Sequence, residues 1–108
     1  MSDRQAMREP TFYVLAALLD GPLHGYGIIK RADELSAGRV RLAAGTLYVA
    51  LDRLRDAGLA GVDREVVVDG RLRRYYRLTG TGREALRAEA LRMAAAARLV
   101  LGRAGAQP

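Results

Sequence analysis

The stretch Gly45-Thr46-Leu47-Tyr48-Val49-Ala50-Leu51-Asp52-Arg53-Leu54 carries two hydroxyls and a guanidinium beside an apolar stripe. Leu47, Ala50, Leu51 and Leu54 follow the i, i+3, i+4, i+7 spacing, which predicts a helix over 45–58 with one face on a core. Thr46, Tyr48, Val49, Asp52 and Arg53 are left outside. The hydroxyls of Thr46 and Tyr48 can bond phosphate oxygens, contacts that fix register without reading sequence. Arg53 can fork onto a guanine and Val49 can meet a thymine methyl, which makes them the candidate base readers. Against this, Tyr48 could simply brace a neighbouring hairpin, and Arg53 could pair with Asp52 or Asp56. A second basic set, Arg71, Arg73 and Arg74, follows Asp69-Gly70. At the tip of a hairpin such residues lie along a minor groove or its flanking phosphates, although a solvated charge run reads the same way.

The chain's 108 residues suit one domain with a modest core and leave no room for a second lobe. Its net charge of +6 favours a polyanionic partner, and the charge is arginine-based, with Lys30 the sole lysine. There is no cysteine, so disulfides, thiolate metal sites and cysteine nucleophiles are excluded. His24 is the only histidine and has no second ligand for a zinc site; it is expected to cap or brace the helix that follows it. No paired acid and base stand beside a nucleophile, and Gly25 and Gly27 follow no strand and have the wrong spacing, so they form no dinucleotide loop. These two glycines instead permit close packing or a tight turn. The expectation is a protein with no catalytic residues, no metal and no cofactor. No apolar run approaches the roughly 18 residues that span a bilayer, and the polar start does not resemble a secretory signal. A cytoplasmic location without membrane contact is therefore expected.

The elements that must position these residues are readable in order. Residues 1–9 read as a flexible arm before Pro10. Thr11 to Leu19 is apolar nearly all round and is stopped by Gly21-Pro22, so it predicts a helix needing cover on more than one side, more easily supplied by a second copy than by the chain itself. Ile28, Ile29, Ala32 and Leu35 form the stripe of a further helix ended by Ser36-Ala37-Gly38. With the helix over 45–58 it makes a helix-turn-helix. Residues 62–68 and 71–78 alternate as strands around Asp69-Gly70, a strong hairpin signal. In that alternation Tyr76 and Leu78 face inward, while Arg73, Tyr75 and Arg77 face out. Thr81 and Glu84 have capping-box spacing, so a last helix should start near Gly82 and run to about Gly102. The expected organisation is a DNA-binding unit over 10–80, a dimerisation helix over 81–102 and a disordered tail over 103–108. The fold class is mainly α with a small β-hairpin, a winged helix-turn-helix plus a C-terminal helix.

Several motifs now stand in register: Gly21-Pro22-Leu23-His24-Gly25-Tyr26-Gly27-Ile28, Gly45-Thr46-Leu47-Tyr48, Leu51-Asp52-Arg53-Leu54, Gly58-Leu59, Gly70-Arg71, Arg73-Arg74-Tyr75-Tyr76 and Leu78-Thr79-x-x-Gly82. Together they resemble the PadR family of bacterial transcriptional regulators over roughly residues 10 to 90. The resemblance implies a homodimer binding double-stranded DNA at a palindromic operator, usually as a repressor. The single C-terminal helix is similar to the family's smaller subgroup. The implied DNA-binding set is Tyr26, Lys30, Thr46, Tyr48, Val49, Arg53, Arg71, Arg73 and Arg74. The implied dimerisation set is Phe12, Leu15, Leu19, Leu86, Ala90, Met93, Ala97, Val100 and Leu101. Val49 departs from the proline or polar residue frequent at that position in the family, which bears on base preference. The resemblance also implies a small hydrophobic or aromatic effector, for which this chain offers Phe12 and Tyr13. The competing reading is a winged-helix protein-interaction module with weak or no specific DNA binding.

Overall fold

The computed structural model describes residues 7–106, with side chains through residue 102. The chain runs α1 (Glu9–Ala17), β1 (Leu23–His24), α2 (Gly25–Leu35), α3 (Ala44–Asp56), β2 (Ala60–Val68), β3 (Arg71–Leu78) and α4 (Gly80–Ala106). The strands form one antiparallel sheet in the order β1-β3-β2.

The helix α1 starts with a proline in its first turn and Glu9 beside it, both suited to a helix N-terminus. Val14, Leu15, Ala17 and Leu18 are buried, and they meet Ile28 of α2, Leu47, Leu51 and Leu54 of α3, Tyr76 of β3 and Leu86 of α4 in one core. Most of the cover that so apolar a helix requires thus comes from its own chain, while Phe12 stays half-buried and Leu19 exposed. Leu15 is 0% exposed and Leu86 4%. Neither can offer surface to a second copy, which corrects their assignment to a dimer interface.

Other expectations shift for local reasons. Met7 packs partly buried against the core and its N–H donates to Glu89 Oε1 at 3.4 Å, while Glu9 already lies in α1. Residues 7–9 are therefore not a loose arm, and the remainder of the expected arm, 1–6, lies outside the described residues. The helix α4 continues to Ala106, so the expected tail at 103–106 is helical in its backbone; residues 107 and 108 lie outside the described residues. Leu35 of the α2 stripe is exposed, whereas Ile28 and Ala32 are buried. A short third strand, β1, joins the expected hairpin and stands directly before Gly25, correcting the expectation that no strand precedes Gly25 and Gly27.

The hairpin turn has positive φ at both Asp69 (51°) and Gly70 (77°), the conformation that Asp-Gly favours because it matches strand twist. Asp63 is left without a partner where the β2–β3 register shifts between Val62 and Arg64. The cap of α4 is Thr79, not Thr81. Its Oγ1 accepts from the Gly82 N–H at 2.9 Å and donates to the Gly58 carbonyl at 2.6 Å, tying the end of α3 to the start of α4. Gly82 is buried so tightly on Leu59 that a Cβ would stand 2.8 Å from its carbonyl carbon. The first turns of α4 therefore belong to the domain core, and only the helix beyond them projects.

Candidate nucleic-acid interface

The helix α3 presents its front as its pattern requires. Leu47, Leu51 and Leu54 are buried, which turns Thr46, Tyr48, Val49 and Arg53 outward; Tyr48 is 46% and Val49 55% exposed. Among the described residues no carboxylate pairs with Arg53. The helix enters from an extended residue, Ala43, with no side-chain cap, so its first-turn N–H groups are unoccupied by the protein's own side chains.

Between this front and the hairpin lies an open cleft of about 610 Å³. Its walls include Tyr48 of α3, His24 of β1, Tyr26 of α2, and Arg71, Arg73 and Arg74 of β3, whereas Thr46, Val49 and Arg53 are exposed on α3 outside its lining. Asp69 at the hairpin turn is the one carboxylate on these walls. Gly25 makes the junction between α2 and α3 possible, because the Tyr48 phenol rests on its backbone where a side chain would stand. Gly27 lies under Leu23 and His24, with the space for a Cβ 3.6 Å from the His24 Cε1. Close packing is thus found at Gly25, whereas at Gly27 a Cβ would meet only ordinary van der Waals contacts of 3.5–3.6 Å.

His24 braces the helix rather than capping it. It occupies the N-cap position of α2 with no side-chain cap bond. Its ring lies edge-on to Tyr75 at 5.4 Å and stacks near Tyr26 at 6.4 Å. Burial, and then the charge of Arg73, hold its imidazole below the ordinary value of 6.5. On the far side of Tyr75 the Arg64 guanidinium sits 4.2 Å from the ring centroid.

The three hairpin arginines are not equivalent. Arg71 and Arg73 share the outer sheet face with Tyr75, and among the described residues neither has an ion-pair partner. Arg74 instead donates through Nε to its cross-strand neighbour Glu65 at 2.7 Å. That bond, together with Tyr76, raises its guanidinium above the usual range. Tyr76 itself is buried, as the alternation indicated. Tyr26 is 71% exposed and Lys30 is also exposed, both on α2.

Away from this surface, Leu91, Met93, Leu99, Val100 and Leu101 of α4 are exposed, as are Ala90 and Ala97. Phe12 is half-buried and Leu19 exposed on the α1 side. Met7, Glu9, Phe12, Tyr13, Glu89 and Met93 line a pocket of about 220 Å³ between α1 and α4. Among the described residues there is no group of acidic and histidine side chains fit to hold a metal ion, and no helix is long and apolar enough to cross a membrane.

A helix-turn-helix whose second helix is flanked by a two-stranded wing defines a winged-helix protein. The model of the transcriptional regulator PadR-like family matches residues 14–88, and the chain belongs to that family. It is 41% identical over 90 residues to the transcriptional regulator Rv3488 of Mycobacterium tuberculosis, covering 83% of this chain and 80% of that one. A PadR family transcription regulator from hypervirulent Clostridium difficile superposes with a TM-score of 0.73 at 23% identity, over 88% of this chain and 97% of that one. Bacillus subtilis PadR, solved in complex with operator DNA, superposes with a TM-score of 0.66 at 24% identity. That match covers 75% of this chain but only 47% of the Bacillus chain, so the present chain spans about half its length.

Proposed function

We propose that the protein is a sequence-specific DNA-binding repressor that acts in the cytoplasm and binds a palindromic operator as a homodimer. The observation that carries this reading is the cleft in which Tyr48 of α3 faces the unpaired wing arginines Arg71 and Arg73, with Asp69 the single acid on its walls. A duplex approaching it meets hydroxyls and guanidinium groups with little opposing charge.

In this reading Thr46 and Tyr48 hold phosphates, and Val49 and Arg53 read bases in the major groove. Tyr26 and Lys30 touch the backbone beside them, and Arg71 and Arg73 follow the adjoining minor groove or its phosphates. Arg74 is the weakest member of the set, because Glu65 already engages it. The exposed apolar side chains of α4 from Ala90 onward, with Phe12 and Leu19, supply a surface for a second copy. A small hydrophobic or aromatic effector would lodge in the pocket that Phe12, Tyr13 and Met93 line beside that surface.

Selection of binding sites from random duplex DNA with the purified protein tests the reading. The expected product is a palindrome with half-sites about one helical turn, roughly 10 base pairs, apart, bound with steep salt dependence. No enrichment over random DNA, or flat salt dependence, overturns it in favour of a protein-binding module.

A further inference from the structure

We propose that His24 is a DNA-backbone contact that takes up a proton as the duplex enters the cleft, making operator binding proton-linked. The inference rests on the DNA-binding reading above and concerns a residue expected from the sequence only to cap or brace α2.

The position of the ring is over-determined. His24 pairs with Tyr75 across β1–β3, and Tyr75 pairs with Arg64 across β3–β2, so the three side chains form one row across the sheet. Tyr75 meets the imidazole edge-on at 5.4 Å, Tyr26 stacks near it at 6.4 Å, and Gly27 lies beneath it. The remaining side lines the cleft between α3 and the wing. Among the described residues no hydrogen bond holds either ring nitrogen, and neither is sealed from solvent. An imidazole on the wall of a basic cleft, with unbonded nitrogens open to solvent, is a ready donor for an incoming acceptor.

Its charge state follows from what surrounds it. From β3 it faces Arg73 and Tyr75; Arg64 of β2 lies beyond Tyr75; Tyr26 comes from the adjoining helix α2; and Tyr48 of α3 with Asp69, Arg71 and Arg74 of the wing line the same cleft, Arg74 being held by Glu65. In the free protein partial burial, and then the charge of Arg73, favour neutral imidazole. Phosphates entering the cleft reverse the local sign. They offset the Arg73 charge and offer an anionic partner, both of which favour imidazolium. Protonation then gives the ring two donors where the neutral form has one.

Because His24 is the only histidine, its Cε1–H resonance can be followed without assignment ambiguity. The experiment titrates that resonance in the free protein and in the complex with the duplex selected from random DNA. It also measures the dissociation constant from about pH 5.5 to about pH 8 for the wild type and His24→Gln. The expected results are a histidine pKa that rises on DNA binding and an affinity that increases as pH falls. The gain should be about tenfold for each pH unit by which DNA raises the pKa, and it should be absent in His24→Gln. An unmoved or lowered histidine pKa in the complex, or the same pH slope in His24→Gln, overturns proton linkage. The wild-type titration stands even if the variant folds poorly. Failure to bind any duplex at any pH overturns the DNA-binding reading itself, a result distinct from binding with an unmoved histidine.

Discussion

The phenol of Tyr48 in α3 rests on the backbone of Gly25 in α2, so that a Cβ built on Gly25 would stand 2.9 Å from the phenol Cζ. One helix of the helix-turn-helix therefore sets the rotamer that the other presents to the cleft. Gly25→Ala should separate folding from binding. Alanine favours the helix by about 1 kcal/mol, and the half-exposed phenol can swing aside, so thermal stability should change by no more than roughly 1 kcal/mol. Operator affinity should nevertheless fall on the order of tenfold, the value of one displaced hydrogen bond of about 1.4 kcal/mol. Tyr48→Phe in the same binding assay should fall by a similar factor. Unchanged affinity in both variants would show that Tyr48 only braces.

Arg73 and Arg74 are neighbours in sequence but opposed in environment. Arg73→Ala should lower the slope of log affinity against log salt by about 0.9, the release of one phosphate contact. Arg74→Ala breaks the cross-strand bond to Glu65 and should leave that slope nearly unchanged. Equal slope changes in the two variants would mean that DNA strips Arg74 from Glu65.

How far the sequence foretold these relations depended on how local each cause was. The outward set on α3 was legible because four apolar residues at helical spacing fix a face, and Asp69-Gly70 was legible because turn chemistry acts on two adjacent residues. β1 was not. Two residues have no period, and Leu23 and His24 become a strand only by pairing with Tyr76 and Tyr75, more than fifty residues away in the chain. Thr79 and Thr81 each precede a plausible helix start, and what separates them is the Gly58 carbonyl, a tertiary partner. A helical stripe also names a face without naming its occupant, which is why Leu15 and Leu86 looked like surface for a second copy although their own core takes them. The glycines announced close packing, which holds at Gly25, but not that Tyr48 would be the side chain admitted there, and Gly27 would meet a Cβ only at ordinary contact distance.

Thr79 joins the ends of two helices through a single hydroxyl. Thr79→Val keeps the shape and removes both bonds, so it should cost about 1–2 kcal/mol, the usual value of a lost N-cap. For a domain of this size that corresponds to a fall in Tm of roughly 4–8 °C per kcal/mol. Thr81→Val, at the position the capping-box pattern favoured, should change Tm little. Calorimetry on the two variants decides between the caps.

The free protein should lose stability on mild acidification through His24. Its folded pKa lies below 6.5, so the unfolded chain binds a proton more readily. The native state is thus favoured above the unfolded value and loses that advantage as pH falls through the folded one. Urea midpoints should drop between about pH 7.5 and about pH 5 in the wild type and stay more nearly level in His24→Gln. Glu9 and Glu89 have depressed values, caused first by hydrogen bonds from Arg39 and Arg92 respectively, and their contribution is lost only as pH falls below 4.5. They leave this window clear.

Leu86 and Val100 lie on one helix and should report two different events. Leu86 is buried in the chain's own core, whereas Val100 is 66% exposed and belongs to the surface proposed for a second copy. Leu86→Ala should cost about 2–5 kcal/mol as a core cavity. Dimer formation makes Tm rise with protein concentration, because assembly stabilises only the folded chains. Leu86→Ala should lower Tm while keeping that dependence. Val100→Glu places a charge in the proposed apolar contact, where it has no partner, and should abolish the dependence with far-UV helicity largely retained at low concentration. Sedimentation equilibrium on the same samples gives the second reading: a dimer for Leu86→Ala under native conditions and a monomer for Val100→Glu. A wild-type chain that sediments as a monomer at every concentration would remove α4 from the dimer proposal altogether.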